Sequence, residues 1–326
     1  MRSWLVKEHG NPSDVLRLEE ITKPSIDQNQ VLIEVEAVAL NFFDILLCQG
    51  KYQEKPPFPF TVGAEVSGKV VQVNEGSKFQ VGERVIALPK LPAGGTAEYV
   101  AVDEQSIYPI SSSMSSNEAA SMFITYHTSY YALHQRANIQ PGEVLLVHAG
   151  AGGVGSAAIQ LGKAAGAYVI ATAGGAEKTK VCRSLGADIV IDYLTEDFVQ
   201  VVKEKTDGKG ADVIYDPVGG ETFDRSRKCI AFDGRILVIG FAGGNIPNAP
   251  TNHILVKNYS VVGVHWGLFS KLKPAEVQQE HNQLMKLYEE GKINPLIYRE
   301  FDFEEVPEAL NLLGDRKTWG KLVVKL

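Results

Sequence analysis

The sequence predicts an α/β protein in two parts, an antiparallel β domain followed by a doubly wound parallel sheet. Three observations carry this prediction. The first is the string HAGAGGVG at 148–155, which holds G-x-G-x-x-G as Gly150, Gly152 and Gly155. It follows the apolar run Val144 to Val147 and precedes a small-residue helical pattern. The second is an alternation of short apolar runs with helical patterns from about 143 to 265. The third is a period-2 alternation in the first part of the chain, as in VLIEVEAV (31–38) and AEVSGKVVQV (64–73).

The glycine string comes first because strand, glycine turn and helix together bind a dinucleotide. Gly150 is expected to permit the tight turn, Gly152 to let backbone approach a pyrophosphate, and Gly155 to let the helix pack closely on the sheet. The helix N-terminus then offers N–H groups and partial positive charge to phosphate. Ala151, Gly153 and Val154 complete the expected cradle.

The strand candidates are VLLVH (144–148), YVIAT (168–172), DIVID (188–192), DVIYD (212–216), RILVIG (235–240) and YSVVGV (259–264). Helical patterns SAAIQLGKAAG, EKTKVCRSLG and EDFVQVVKEKT separate the first four. The first two helices end at Gly166 and Gly186, both suited to a helix C-cap. Short apolar strands with helical crossovers imply a parallel sheet covered on both faces.

The earlier region alternates with period 2 and is dense in Gly and Pro, as in KPPFPF (55–60) and PAGG (92–95). That pattern reads as antiparallel β structure. A polar break, SSSMSSN (111–117), precedes a helix. After His265, a helical pattern from Ala275 to Gly291 leads to the strand-like KLVVKL. This tail is too small for a domain of its own. The expected division is therefore 1–122, completed by 266–326, and a dinucleotide-binding domain over 123–265, with the active site in the cleft between them.

Composition excludes several classes. At 326 residues, with 44% hydrophobic and 22% charged, the chain is an ordinary globular protein. A net charge of −7 without a basic stripe argues against a nucleic-acid partner. No apolar run reaches the roughly 18 residues of a membrane span, and MRSWLVKEHG lacks a signal-peptide core. The three cysteines, Cys48, Cys182 and Cys229, are dispersed, which fits a reducing compartment. A cytoplasmic location is expected.

NFFD (41–44), GKYQEKPPFPFTVGAEVSG (50–68), GGTAEYV (94–100), TYHTSYYAL (125–133), HAGAGGVG (148–155), DVIYDPVGG (212–220), VVGVHWG (261–267) and WGKLVV (319–324) extend over nearly the whole chain. Together they resemble the medium-chain dehydrogenase/reductase superfamily, on its zinc-free, zeta-crystallin-like quinone oxidoreductase branch. The resemblance implies a GroES-like β domain plus a Rossmann domain. It also implies NADPH-dependent reduction of quinones or α,β-unsaturated carbonyls, and a homodimer joined through the edges of the Rossmann sheets.

Zinc-dependent relatives place Cys near NFFD and His in a Gly-His-Glu string. The matching positions here resemble Asn41 and Gly63-Ala64-Glu65. Asn and Ala are not ligands of a catalytic zinc, and a structural zinc lobe needs four clustered cysteines. No metal is expected. His127, His253 and His265 are isolated in sequence.

An NAD site ends its second strand with a carboxylate for the ribose 2′-hydroxyl. Here that strand ends Thr172-Ala173-Gly174-Gly175. By resemblance, Lys178 and Tyr193 would touch a 2′-phosphate, which favours NADPH, and Gly174 would let backbone approach the adenosine phosphate. The alternative for Lys178 is a solvated helix residue.

Hydride transfer needs the reacting carbons held about 3–3.5 Å apart. A donor aimed at the developing oxyanion helps. Tyr52 is the first candidate donor, the alternative being an exposed loop aromatic. Asn41 would orient the nicotinamide or the substrate carbonyl through its amide. Asp44 would relay a proton, fix Asn41, or only cap a local turn. By resemblance Thr128 packs beside the nicotinamide, unless it is simply a buried helix residue. Phe241 follows the fifth strand at the edge where cofactors bind. Trp266 is a pocket wall or an interface anchor, Cys48 a buried inert thiol, and Lys321 a cofactor contact from the returning tail. Two other activities stay open: reduction of an enoyl or acryloyl thioester of coenzyme A, and a non-enzymatic, crystallin-like role as an NADPH-binding structural protein.

Overall fold

The computed structural model describes residues 1–326. It divides into two compact units, Met1–Ile124 with Pro295–Leu326, and Thr125–Asn294.

The first unit is built on a seven-stranded sheet. Its long central strand, Gln30–Leu40, pairs antiparallel with Val66–Gln72, Tyr99–Asp103 and the C-terminal strand Lys321–Lys325. The alternation read at 31–38 follows this strand, whose Val31, Ile33, Val35 and Val38 enter the core with Val66, Val70, Val85 and Leu322. Pairing of Leu322 with Leu40 sets the register of the returning tail. That register brings Lys321 beside Asn41, the residue after Leu40.

The second unit holds six parallel strands, Val144–Val147, Tyr168–Ala173, Ile189–Asp192, Ala211–Asp216, Ile230–Val238 and Ser260–Gly263. Counted along the chain, their order in the sheet is 3-2-1-4-5-6, that of a dinucleotide-binding doubly wound sheet. Apolar runs become central strands because both faces of such a sheet are covered. Gly166 and Gly186 end their helices at φ 80° and 96°, a region open to glycine at little cost. The fifth strand starts earlier than its apolar run. Asp233, at φ 58°, and Gly234 interrupt the sequence pattern without ending the strand.

The expected division needs one correction. Residues 266–294 belong to the second unit rather than to the first. The helix Pro274–Glu289 buries Val277, Glu280, His281 and Leu284. Glu280 accepts from Gln135 at 2.8 Å, His281 lies 3.3 Å from His127, and Gln160 bonds the backbone of Asn294. These buried polar partners hold the segment where the sequence pattern alone placed it elsewhere. Only residues 295–326 return to the first unit.

Candidate functional site

The predicted residues fall into two clusters, one in each unit. In the second unit the chain leaves Val147 through His148, whose ring nitrogens meet the hydroxyls of Thr172 at 3.0 Å and Ser226 at 2.8 Å. The imidazole is fully buried and its pKa is pushed down to about 3, chiefly by desolvation. Ala149 then takes φ 50°, so the left-handed residue of the turn is Ala149 and not Gly150. Gly150 sits in a tight space: a Cβ there would lie 3.0 Å from Cys182 Sγ and 3.1 Å from Ala171 Cβ, so its neighbours would have to give by a few tenths of an ångström. Its N–H donates to the carbonyl of Thr172.

Gly152 caps the helix Gly153–Ala164. At Gly155 a Cβ would sit 2.2 Å from the carbonyl oxygen of Ala149. The close approach that demands glycine is therefore between helix and loop, rather than between helix and sheet. First-turn N–H groups of a helix have no partner within it, so Gly153, Val154 and Gly155 present a compact anion cradle. Ser129 Oγ bonds the carbonyl of Val154 at 3.1 Å. Thr128, half-buried, is its neighbour on the helix Ser116–Tyr130.

Past the second strand, Gly174 lies under the hydroxyl of Tyr193, which a Cβ would approach to 2.6 Å. Tyr193 is 53% exposed. The Asp192 carboxylate is turned inward, accepting from the N–H groups of Gly175 and Leu194. Lys178 is half-buried in the first turn of the helix Ala176–Ser184, and burial lowers its pKa. An ammonium that is partly desolvated gains more from meeting a phosphate. Phe241 is 41% exposed just past the fifth strand, its ring against Gly219. The structure thus brings Gly174 and Tyr193 together, sets Lys178 in the helix that starts two residues after Gly174, and places Phe241 separately, after another strand.

In the first unit, Asn41 precedes the helix Phe42–Cys48 as its N-cap. Asp44 is fully buried and its carboxylate accepts from the N–H of Asn41 at 2.8 Å and of Gly63 at 3.0 Å. Burial nevertheless pushes its pKa up to about 6, against those two hydrogen bonds. Asp44 therefore fixes the Asn41 backbone and ties it to the 63–65 segment.

The Asn41 amide is held as firmly. Its Oδ1 accepts from Lys321 Nζ at 2.6 Å, and its Nδ2 donates to Glu65 Oε1 at 2.9 Å and to the Ala39 carbonyl at 3.3 Å. Lys321 also pairs with Glu65 at 2.7 Å, both buried, and Glu65 Oε2 accepts from the N–H of Ile124. Lys321, expected to contact cofactor from the returning tail, is bonded to Asn41 and Glu65. The sheet register carries its ammonium to that spot.

Tyr52 is half-buried, with its ring stacked on Phe43 at 5.4 Å. It is packed on the first unit's core rather than left as a loose loop aromatic. Cys48 is buried, and desolvation raises its thiol to about 12, which leaves it inert. His265 caps the helix Trp266–Leu272 by accepting from Leu268, and His253 lies against Tyr259. His127 is buried beside His281, with Trp266 packed on it at 5.7 Å.

Zinc does not fit the Asn41 cluster. A lysine ammonium lies between the two oxygens that would face a cation, and the neighbouring position is Ala64. No group of three or more His, Cys, Asp or Glu side chains is placed to hold a metal.

Sequence reasoning missed Glu65, His148 and Ser129. Glu65 stands in the Gly-Ala-Glu string, directly after the Ala64 that argues against zinc. His148 opens the glycine string itself.

Comparison with known proteins agrees with this architecture. The alcohol dehydrogenase GroES-like domain family matches residues 27–112, and the zinc-binding dehydrogenase family matches residues 153–287. A quinone oxidoreductase-like protein 2 homolog of Nematostella vectensis is 40% identical over 328 residues, covering 99% of this chain and 88% of the relative. Human quinone oxidoreductase is 32% identical, covering 100% and 98%. The crystal structure of Escherichia coli quinone oxidoreductase complexed with NADPH superposes with a TM-score of 0.92 at 29% identity, covering 100% of both chains. The fold and the glycine loop define a medium-chain dehydrogenase/reductase, with a GroES-like unit and a Rossmann unit. Within that superfamily the chain belongs to the quinone oxidoreductase branch and is an oxidoreductase.

Proposed function

We propose that this protein is a metal-independent, NADPH-dependent reductase of quinones or α,β-unsaturated carbonyls. The observation that carries the cofactor half is the Gly174–Lys178–Tyr193 group. The second strand ends without a carboxylate, the nearby Asp192 is turned onto backbone N–H groups, and the half-buried Lys178 and the exposed Tyr193 are the proposed partners of a 2′-phosphate. The E. coli relative was crystallised with NADPH, which supports the same choice. Gly150 to Gly155 would hold the pyrophosphate.

When bound, NADPH supplies the hydride. The chain supplies placement and charge. Tyr52 is the proposed hydroxyl donor to the acceptor oxygen, its ring kept in place by stacking on Phe43. Thr128, held near Val154 by its neighbour Ser129, and Phe241 are the proposed walls of the nicotinamide site. Asp44 is a positioning residue for Asn41 and not a proton relay, since both its oxygens are engaged and it is fully buried. Metal independence is supported by the Lys321 ammonium between Asn41 and Glu65.

A homodimer through the Rossmann sheet edge is part of the proposal. The last strand of that sheet, Ser260–Gly263, pairs on one side only. Leu255 and Val256, on the helix Thr251–Lys257 that precedes it, are 80% and 83% exposed, apolar surface that the proposed partner would cover. Light scattering at the dimer mass is the expected result. No helix is long and apolar enough to cross a membrane.

The test is NADPH oxidation against benzoquinone, naphthoquinone, a 2-alkenal, an enone and acryloyl-coenzyme A, with NADH and a chelator in parallel. Chelator-resistant, NADPH-preferring turnover of quinone or enone is expected. Preference for the thioester would make the enzyme an enoyl-thioester reductase. NADPH binding without turnover of any acceptor would favour the structural role.

A further inference from the structure

The Asn41 amide is fixed in one orientation by groups that cannot exchange roles. An ammonium only donates, so the amide atom 2.6 Å from Lys321 is the oxygen. The Glu65 carboxylate and the Ala39 carbonyl only accept, so the atom facing them is the nitrogen, with both hydrogens engaged. Glu65 cannot turn away, because its second oxygen holds the N–H of Ile124. Lys321 cannot turn away without leaving a buried carboxylate unpaired. Asp44 holds the backbone N–H of the same residue. No donor is left on the Asn41 side chain, and Oδ1, which faces Lys321 and the capping Asp44 N–H, is its one acceptor.

We propose that Lys321 and Glu65 are a positioning pair that makes Asn41 an acceptor-only group, so that this position selects a hydrogen-bond donor such as a carboxamide NH2 or a hydroxyl. It does not bind a carbonyl or quinone oxygen. The inference rests on the NADPH reading and deepens it: the nicotinamide carboxamide or a ribose hydroxyl is the partner, and the acceptor substrate's oxygen must find its donor elsewhere. Lys321 acts through Asn41 across 280 residues of sequence.

The charge-neutral pair K321M/E65Q separates positioning from folding. The glutamine introduced by E65Q would keep one oxygen for the Ile124 N–H and turn its NH2 toward Asn41. That NH2 needs an oxygen, so the Asn41 amide would flip and present its own NH2. Removing both charges together avoids a lone buried ion, and such replacements often fold well.

NADPH affinity is measured by fluorescence titration without acceptor for wild type, N41A, K321M/E65Q and the triple variant, with thermal midpoints recorded alongside. N41A and K321M/E65Q are each expected to weaken NADPH about 2- to 12-fold, the range of one neutral hydrogen bond. The triple variant should be no weaker than N41A alone, because both changes remove the same contact. A ligand lacking the nicotinamide, 2′-phospho-ADP-ribose, reports whether the contact is to the carboxamide, in which case its affinity stays level, or to a ribose hydroxyl. Multiplied losses in the triple variant, or wild-type affinity in K321M/E65Q, would overturn the proposal.

A second readout needs no cofactor. The side-chain NH2 of Asn41, followed by NMR, should exchange slowly with water in the wild type and quickly in K321M/E65Q. Fast exchange in the wild type would overturn the proposal even if NADPH binds. If wild-type protein fails to bind NADPH, the cofactor reading fails and this exchange measurement still decides the orientation. Should K321M/E65Q fail to fold, K321R serves in its place. It keeps the donor and should preserve slow exchange, and its loss of protection would count against the pair.

Discussion

The glycine loop and the Asn41 cluster are built in opposite ways. The loop is made of backbone: Ala149 to Gly155 fold on themselves, Gly155 meets the carbonyl of Ala149 too closely for a Cβ, and Gly150 packs tightly against Ala171 and Cys182. The Asn41 cluster is made of side chains from residues 41, 44, 65 and 321, joined by an ion pair that spans 256 residues. A backbone site is fixed by short-range sterics. A side-chain site exists only once the sheet register has been set.

The largest effect should come from breaking the loop. Gly155→Ala puts a Cβ 2.2 Å from the Ala149 carbonyl, where neither backbone can give without distorting the cradle. NADPH affinity is expected to fall by roughly two orders of magnitude or more as the first-turn N–H groups move off the phosphates. Near-wild-type binding in an isothermal titration would show that backbone sterics do not set the loop.

Lys178→Ala tests the side-chain charge proposed to read the 2′-phosphate. It should weaken NADPH by about 10- to 150-fold, the value of one charge-assisted hydrogen bond, and leave NADH unchanged. Equal losses for both cofactors would show that Lys178 does not read the 2′-phosphate.

The smallest effects sharpen the contrast through pH, because the two clusters should respond in opposite directions. Asp44 is raised from 3.8 to about 6 in the fold. Between about pH 4 and 6 the folded protein keeps a proton that the unfolded chain has released, so this group's contribution to stability falls as pH rises. His148 is lowered from 6.5 to about 3. There the unfolded chain binds a proton that the fold refuses, so stability is lost as pH falls from about 6.5 toward 3. Each slope is at most about 1.4 kcal/mol per pH unit. Asp44→Asn should flatten the first slope and cost about 1–3 kcal/mol, since its single oxygen cannot serve both N–H groups. His148→Gln should flatten the second. Hydrogen exchange resolved by peptide, over 41–65 and over 145–175, reads the two separately. Slopes of the same sign would break the contrast.

The same contrast explains what was legible in the chain. The six parallel strands, their helices and the glycine caps at 166 and 186 were readable because each depends on a period or a local dihedral. The strand at Ile230–Val238 was only half readable, since Asp233 and Gly234 look like a turn and the pairing with the fourth strand skips from Ile230 to Arg235. The helix Pro274–Glu289 was readable as a helix but not in its allegiance, which buried His281 and Glu280 decide.

By itself, then, the sequence determined the two sheet types, the dinucleotide loop and the absence of a carboxylate after the second strand. These are written in spacings of two, in helical periods and in glycines, all of which act over a few residues. Only the tertiary structure decided that Ala149 and not Gly150 makes the turn, that Lys321 serves Asn41, and that Glu65 completes the cluster. Those outcomes depend on which side chains meet after Leu322 has paired with Leu40, a contact between distant parts of the chain that no local pattern encodes.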